Sequence, residues 1–174
     1  MIRFYGLSVN PCVIASNAVG KKQKSLSFWT KDEFDRFIQT FEKDDPYYTA
    51  FLILYFCGLR IGELEALTVA DIDLEQHTLS VNKTYHLING KGITTTPKTA
   101  KANRVILLPN FLVARIKEYE SHIYHPLPDA RLFLLSHSSY TRTLETHTET
   151  TGIKRIRLHD IRYPNLNKIQ TFCR

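Results

Sequence analysis

Arg60 lies in an otherwise apolar segment, CGLRIGEL (57–64), at the junction of two predicted helices. A guanidinium buried among apolar side chains is costly unless an anion compensates it, and Glu63 follows three residues later, within reach on a helix. Two interpretations stay open. The first is an Arg60–Glu63 ion pair that locks the two helices together, and the second is a phosphate-binding guanidinium that Glu63 holds in place from behind.

Two further segments carry candidate acid–base groups. Lys98, in TTTPKT (94–99), lies in or beside a predicted hairpin turn. A lysine there is ordinarily solvated, although it would also suit a general acid that protonates a leaving group. His159 and Arg162 are three residues apart and would share one face of a helix. Asp160, between them, could simply cap that helix.

Other residues that often carry chemistry show no such spacing. The remaining histidines lack the pattern of metal ligands, and no phosphate-binding loop, dinucleotide fingerprint or nucleophile elbow is present, so we expect no metal and no cofactor. These histidines are His77, His86, His122, His125, His137 and His147. The cysteines, Cys12, Cys57 and Cys173, form no CxxC pair and favour a reduced, cytoplasmic setting.

The charge of the chain is unevenly distributed. The 174 residues carry a formal net charge of +6, yet residues 76–117 contain no Asp or Glu, and residues 152–174 contain only Asp160. Residues 31–45, by contrast, are acid-rich. A basic face of this kind is typical of nucleic-acid binding, although a solvated basic loop is the alternative. The candidate DNA contacts are Lys83, Lys91, Lys101, Arg104, Arg155 and Arg157.

The elements that must position these residues follow from hydrophobic periodicity and caps, which predict an α+β, mainly α fold without a membrane helix or signal peptide. The predicted helices begin at Thr30 and near Leu158 and span Tyr47–Cys57, Ile61–Leu67, Phe111–His122 and Thr141–Thr150. The predicted strands are two or three antiparallel ones between Thr78 and Leu108 and a short one over Leu132–Leu135.

Three motifs in this order resemble the catalytic domain of the tyrosine recombinases, the phage integrase family. They are GLRIGE (58–63), PKT (97–99) and LHDIR (158–162). Flanking segments are similar to integrases of phages and conjugative transposons of Gram-positive bacteria: NPC (10–12), FWTKDEF (28–34) and ELEALTVADIDL (63–74). The resemblance runs from about residue 5 to residue 162 and implies helices around a small antiparallel three-stranded sheet.

The resemblance also implies roles for individual residues. Arg60 and Arg162 would grip the scissile phosphate, Lys98 would protonate the departing 5′ oxygen, and His159 would assist proton transfer. Glu63 matches the supporting acidic position. The family's nucleophile is a tyrosine that forms a 3′-phosphotyrosyl bond without metal or energy cofactor.

The C-terminal residues depart from the family pattern. The second histidine box and the nucleophilic tyrosine do not follow Arg162; Tyr163 is adjacent to it and Pro164 would disturb a helix. We therefore expect a chain that ends before its nucleophile and is inactive alone. The expected organisation is a linker or end of the core-binding domain (1–26), a partial catalytic domain (27–162) and a divergent tail (163–174).

Three functional interpretations follow. The first is a catalytic-domain fragment of a recombinase that acts on double-stranded DNA. The second is a non-catalytic DNA-binding remnant that competes for or regulates recombination sites, alone or paired with a full-length recombinase. The third is an unrelated α+β protein that associates with itself through exposed apolar surface.

Overall fold

The computed structural model describes residues 28–96, 103–123 and 127–161, in which three helices precede a block of short strands and two helices follow it. The helices are α1 (Lys31–Ile38), α2 (Pro46–Cys57), α3 (Ile61–Ala66), α4 (Asn110–Ser121) and α5 (His137–Thr151). The strands are β1 (Ile72–Asp73), β2 (Thr78–Val81), β3 (Thr84–Ile88), β4 (Lys91–Thr95) and β5 (Arg104–Leu107). The predicted α+β, mainly helical class is confirmed.

The first two helices begin and end where local chemistry predicts. The Thr30 hydroxyl accepts from the Glu33 amide at 3.2 Å, and the Glu33 carboxylate accepts from the Thr30 amide at 2.7 Å, forming a capping box. Asp45 caps α2, and Pro46 occupies its first turn. Gly58 ends α2 with φ of 62°, a left-handed conformation that glycine adopts without steric cost.

The strands form two separate sheets. β1, β2 and β5 make the predicted three-stranded antiparallel sheet, in which Leu79 is paired with Ile106. β3 and β4 form an additional hairpin, closed by Asn89 and Gly90, both with positive φ as in a type I′ turn. Four strands therefore lie between residues 78 and 108, where two or three were predicted, because the connection from β2 to β5 folds into a hairpin of its own.

The core is built around α2, which is buried on nearly all sides. Phe37 of α1 packs edge-on against Phe51 of α2 with ring centroids 5.0 Å apart. The Trp29 indole nitrogen donates to the Lys154 carbonyl oxygen at 2.8 Å, tying the start of α1 to the segment after α5. These contacts hold α1 and α2 together and attach the start of α1 to the segment that follows α5.

One prediction of secondary structure is wrong. Leu132–Leu135 is not a strand: the segment is held by one bridge between Thr68 and Arg131 and by the Leu132 amide bonded to the Leu67 carbonyl at 2.7 Å. Its apolar residues serve the core instead, since Phe133 is fully buried. Of the helix predicted to start near Leu158, the structure describes only a three-residue 3-10 turn, Leu158–Asp160, and Ile161; the rest of that prediction lies outside the described residues.

Candidate phosphate-binding site

Arg60 is presented by a short junction in which each residue has a separate task. Gly58 turns the chain out of α2, and Leu59, only 1% exposed, anchors the junction in the core. Arg60 is extended, with φ of −74° and ψ of 150°, and occupies the cap position of α3. Its side chain is 59% exposed, so the guanidinium faces solvent while its backbone is fixed.

Glu63 organises two arginines from different elements. Its carboxylate accepts from Arg60 Nη1 at 2.9 Å and from the Arg60 amide at 2.8 Å. Arg104, the first residue of β5, donates through both terminal nitrogens, at 3.1 and 2.7 Å. The Glu63 side chain is 5% exposed and that of Arg104 31%, so this bidentate pair joins α3 to the three-stranded sheet through a buried carboxylate and a half-buried guanidinium.

The charge state of Glu63 follows from these partners. Burial by itself would raise the pKa of the carboxyl group, but the hydrogen bonds and charge of Arg104 and the bonds from Arg60 outweigh burial and lower the pKa. The carboxylate is therefore ionised at neutral pH and holds Arg60 by one edge. Of the two interpretations of the Arg60–Glu63 pair, locking of two helices does not describe it: the pair lies within α3 and its cap, and Arg104 supplies the long-range link.

His159 belongs to a second cluster, centred on Asp160. The Asp160 carboxylate accepts from Arg157 Nε at 2.9 Å and lies 3.0 Å from His159 Nε2. The hydrogen bond from Arg157 lowers the pKa of Asp160, with a further contribution from His159, against the effect of burial. Asp160 thus caps the turn, as predicted, by accepting from the Arg157 amide at 3.4 Å, and its carboxylate lies beside the imidazole of His159, whose side chain is 59% exposed.

An open groove of about 680 Å³ runs along the Asp160 cluster and reaches the start of α3 at Ile61. Ile61, the residue after Arg60, lies in its wall together with His159, Arg155 and Arg157. Leu144 and Ile156 contribute apolar surface. The structure therefore brings His159 and two basic residues to the same groove as the start of α3.

The other predicted DNA contacts divide into tied and free side chains. Lys83 binds Asp71 at 2.7 Å and Thr68 at 2.9 Å, and Arg155 is paired with Glu145. Lys91, on β4, is exposed. Sequence reasoning missed the Glu63–Arg104 and Asp71–Lys83 pairs because 41 and 12 residues separate the partners, so no local spacing signals them. Lys98, Lys101 and Arg162 lie outside the described residues.

Other chemistry finds little support in the described segments. They contain no group of three or more His, Cys, Asp or Glu side chains placed to hold a metal ion. Burial raises the pKa of the Cys57 thiol to about 12, although Arg104 acts in the opposite direction, so the thiol stays protonated. In the same segments no helix combines the length and the apolar character needed to span a membrane.

Comparison with known proteins shows that this chain is similar to integrases. The ICEBs1 integrase of Bacillus subtilis (strain 168) is 26% identical over an alignment 174 positions long, which covers 92% of this chain and 47% of the relative. The integrase of Mycobacterium phage D29 is 28% identical over 166 residues, covering 90% of this chain and 43% of that protein. The chain thus spans about half the length of the curated relatives it matches.

Solved structures confirm the fold. The Tn1549 transposon integrase, in complex with a circular intermediate DNA, superposes with a TM-score of 0.73 at 18% identity, covering 99% of this chain and 62% of that one. The XerA recombinase gives a TM-score of 0.62 at 19% identity, covering 80% and 48%. The profile of the Phage integrase family matches residues 27–165. This match, which covers most of the chain, places the chain in the phage integrase family, the tyrosine recombinases.

Proposed function

We propose that this chain acts on double-stranded DNA as the catalytic-domain portion of a site-specific recombinase, with Arg60 binding the scissile phosphate. The observation that carries the proposal is the Glu63 cluster, in which a buried carboxylate fixes a guanidinium that is 59% exposed. A guanidinium held by one edge keeps N–H groups for a phosphate oxygen, and its position is fixed before DNA arrives.

The remaining roles are proposed from the motif positions. Arg162 supplies the second guanidinium, Lys98 protonates the 5′ oxygen as it leaves, and His159 assists proton transfer from the groove that it lines. The reaction as proposed requires no metal and no cofactor. The structure of the Tn1549 integrase was solved in complex with DNA, which supports duplex DNA as the partner proposed for this chain. A second copy of the chain or a full-length recombinase is proposed as a further partner. The proposed domain boundaries are 1–26, 27–162 and 163–174.

The phosphate-binding proposal is tested by DNA affinity. Arg60→Ala is expected to weaken binding of a mixed-sequence duplex about tenfold, because one charge-assisted contact is lost, and to reduce the salt dependence of binding. Arg36→Ala is the matched control, since Arg36 is an exposed arginine on α1 in the acid-rich segment, and little change is expected. Equal loss in both variants, measured by fluorescence anisotropy over a salt series, contradicts the proposal.

We also propose that these 174 residues form no covalent bond with DNA on their own, because Tyr163, adjacent to Arg162, does not match the family's nucleophile position. A nicked suicide duplex that traps phosphotyrosyl intermediates is expected to give no denaturant-resistant adduct. An adduct that Tyr163→Phe abolishes would assign the nucleophile to Tyr163 and overturn this part of the proposal.

A second candidate function is non-catalytic DNA binding that competes for or regulates recombination sites. The exposed side chains of Lys91, Arg155 and Arg157 favour it, because phosphate contacts require basic groups at the surface rather than a complete catalytic set. Salt-sensitive binding without an adduct supports this candidate for the isolated chain. A denaturant-resistant adduct with the nicked duplex supports the recombinase instead.

A further inference from the structure

We infer that Gly62, Tyr85 and Arg131 are positioning residues that dock the β3–β4 hairpin on α3, so that the hairpin's exposed Lys91 is held at a fixed place relative to Arg60. Neither Gly62 nor the two other side chains would contact the reacting phosphate. The DNA consequence rests on the proposed function, whereas the docking itself does not.

Gly62 allows the hairpin to approach α3 more closely than any other residue would. A Cβ at this position would lie 2.8 Å from the Thr84 methyl group and 3.0 Å from the Tyr85 carbonyl oxygen. The second of these atoms belongs to the β3 backbone, which cannot move aside as a flexible side chain does. Gly62 lies between Arg60 and Glu63 in sequence, so the backbone of β3 packs against the same short helix that presents the candidate phosphate site.

The Tyr85 ring covers the neighbouring strand at a second glycine. A Cβ on Gly92 would lie 2.2 Å from the Tyr85 hydroxyl oxygen and 2.6 Å from its Cε2. Tyr85 is paired with Thr94, and Leu87 with Gly92, so Tyr85 and Gly92 lie diagonally on the same face of the hairpin. The Tyr85 ring therefore extends from the base of the hairpin along β4 toward the turn and packs β4 against β3.

Arg131 closes the arrangement from the other side. Its guanidinium carbon lies 4.2 Å from the centre of the Tyr85 ring, a cation–π contact. Its Nη1 donates to the Glu65 carbonyl oxygen of α3 at 3.4 Å, and its backbone bridges to Thr68. Arg131 is thus attached to the end of α3 and stacks on the hairpin from there.

The outer part of the hairpin is exposed, in contrast to this base. Every residue of β4 is exposed, as are His86 to Ile88 of β3. The position of Lys91 is consequently set by the contacts at the base. If the hairpin is fixed, its basic group contacts a phosphate at a defined distance from Arg60. If the hairpin is flexible, binding costs the conformational entropy that the hairpin loses when it is ordered on the DNA.

Spin-label distances test the docking directly. Labels are placed at Ile88→Cys on the hairpin, which is 51% exposed, and at Thr150→Cys on α5. Cys12 and Cys173 are replaced by Ser, and Cys57, 3% exposed, is kept. The unaltered hairpin is expected to give one narrow distance distribution, measured by double electron–electron resonance.

Gly62→Ala is expected to shift and broaden that distribution, and the double variant G62A/T84S is expected to restore it in part, because serine lacks the methyl group that the new Cβ would strike. Tyr85→Ala and Arg131→Ala should broaden the distance distribution as well, and Tyr85→Phe, which keeps the ring, should not.

Arg36→Ala is the control for loss of an arginine. If G62A fails to fold, the Tyr85 and Arg131 variants decide. An unchanged distribution in folded Y85A and R131A overturns the inference.

DNA affinity separates this inference from the proposed function. Lys91→Gln is expected to weaken duplex binding about fivefold in the unaltered protein and less than twofold in the R131A background, where the arm is no longer fixed. Broadened distances with an undiminished effect of K91Q overturn the link between docking and DNA contact. Broadened distances in a protein that binds no duplex leave the docking established and contradict the proposed function instead.

Discussion

Glu63 and Glu65 lie two residues apart on α3, and each is 5% exposed, yet the pKa values of their carboxyl groups are shifted in opposite directions. Glu63 accepts hydrogen bonds from Arg60 and Arg104, and these partners lower its pKa in spite of burial. Burial raises the pKa of Glu65 to about 7, and the charge of Arg131 offsets only part of that effect. The comparison teaches that hydrogen-bonding partners, rather than depth, determine which buried carboxylate stays ionised.

The two carboxyl groups also face different surroundings. The buried carboxylate of Glu63 is paired with Arg60, whose side chain is exposed to solvent. On the Glu65 side lies Tyr140, fully buried, whose hydroxyl group has no hydrogen-bond partner in the described part of the chain and whose pKa is raised by burial and by Glu65. One side of α3 is therefore suited to hold a phosphate-binding group, and the other contributes to the core.

The largest expected effect comes from removing the ionised carboxylate. Glu63→Ala leaves Arg104 without its bidentate partner and Arg60 without its anchor, so we expect a loss of about 3 kcal/mol in the free energy of unfolding. Urea denaturation measures it. Glu149→Ala, at an exposed position on α5, is the control and should change stability by less than about 0.5 kcal/mol. Equal effects in the two variants would contradict the assigned role of Glu63.

Glu65→Gln is expected to stabilise the protein at alkaline pH. The unfolded chain ionises Glu65 near its usual pKa of 4.5, but the folded protein does so only near 7, so the stability that Glu65 provides is present below pH 4.5 and is lost as pH rises through 7. Glutamine stays neutral throughout. At pH 8 we expect E65Q to be more stable by roughly 1–3 kcal/mol, and at pH 4 to match the unaltered protein. A constant difference across the pH range, in urea denaturation, would falsify this assignment.

Arg104→Lys tests whether the geometry of the Glu63 pair matters beyond its charge. Lysine keeps the positive charge but cannot donate through two parallel N–H groups, so we expect a loss of about 1 kcal/mol. Because the lowered pKa of Glu63 adds stability above its usual pKa and loses it as pH falls through the lower value, the variant should also denature at a higher pH on acidification. An unchanged acid midpoint would indicate that charge alone suffices.

The sequence predicts those features of the α3 region and its neighbours that depend on residues close together along the chain. The capping box at Thr30, the end of α2 at Gly58 and the Arg60–Glu63 pair are local, and the structure has all of them. The family motifs likewise identified the phage integrase family. Contacts between distant segments were not predictable, since the Glu63–Arg104 pair spans 41 residues.

The apolar segment Leu132–Leu135 shows the same limit. Its composition suits a strand, but a strand needs a partner, and only tertiary packing shows that Phe133 lies against Tyr119, with ring centroids 5.2 Å apart. Glu65 gave no signal in the sequence, because IGELEA shows two glutamates with nothing to indicate that the pKa of one would be lowered and that of the other raised. The charge of each depends on residues brought to α3 by the fold.

The smallest expected effect, that of Arg131→Gln, tests whether Glu63 and Glu65 respond to separate partners. Arg131 lowers the pKa of Glu65 through its charge, so Arg131→Gln should raise that pKa further above 7 and leave the pKa of Glu63 unchanged. The change in this pKa should be small, because the Coulomb attraction acts between side chains that share no hydrogen bond. Loss of the Tyr85 contact and of the bond to the Glu65 carbonyl oxygen would add a loss of stability that does not depend on the charge of Glu65. Carboxyl ¹³C resonances followed through a pH titration report both groups in one sample, and Arg36→Gln controls for the loss of one positive charge. A parallel rise at Glu63 would mean that both carboxylates respond to a common field rather than each to its own partners.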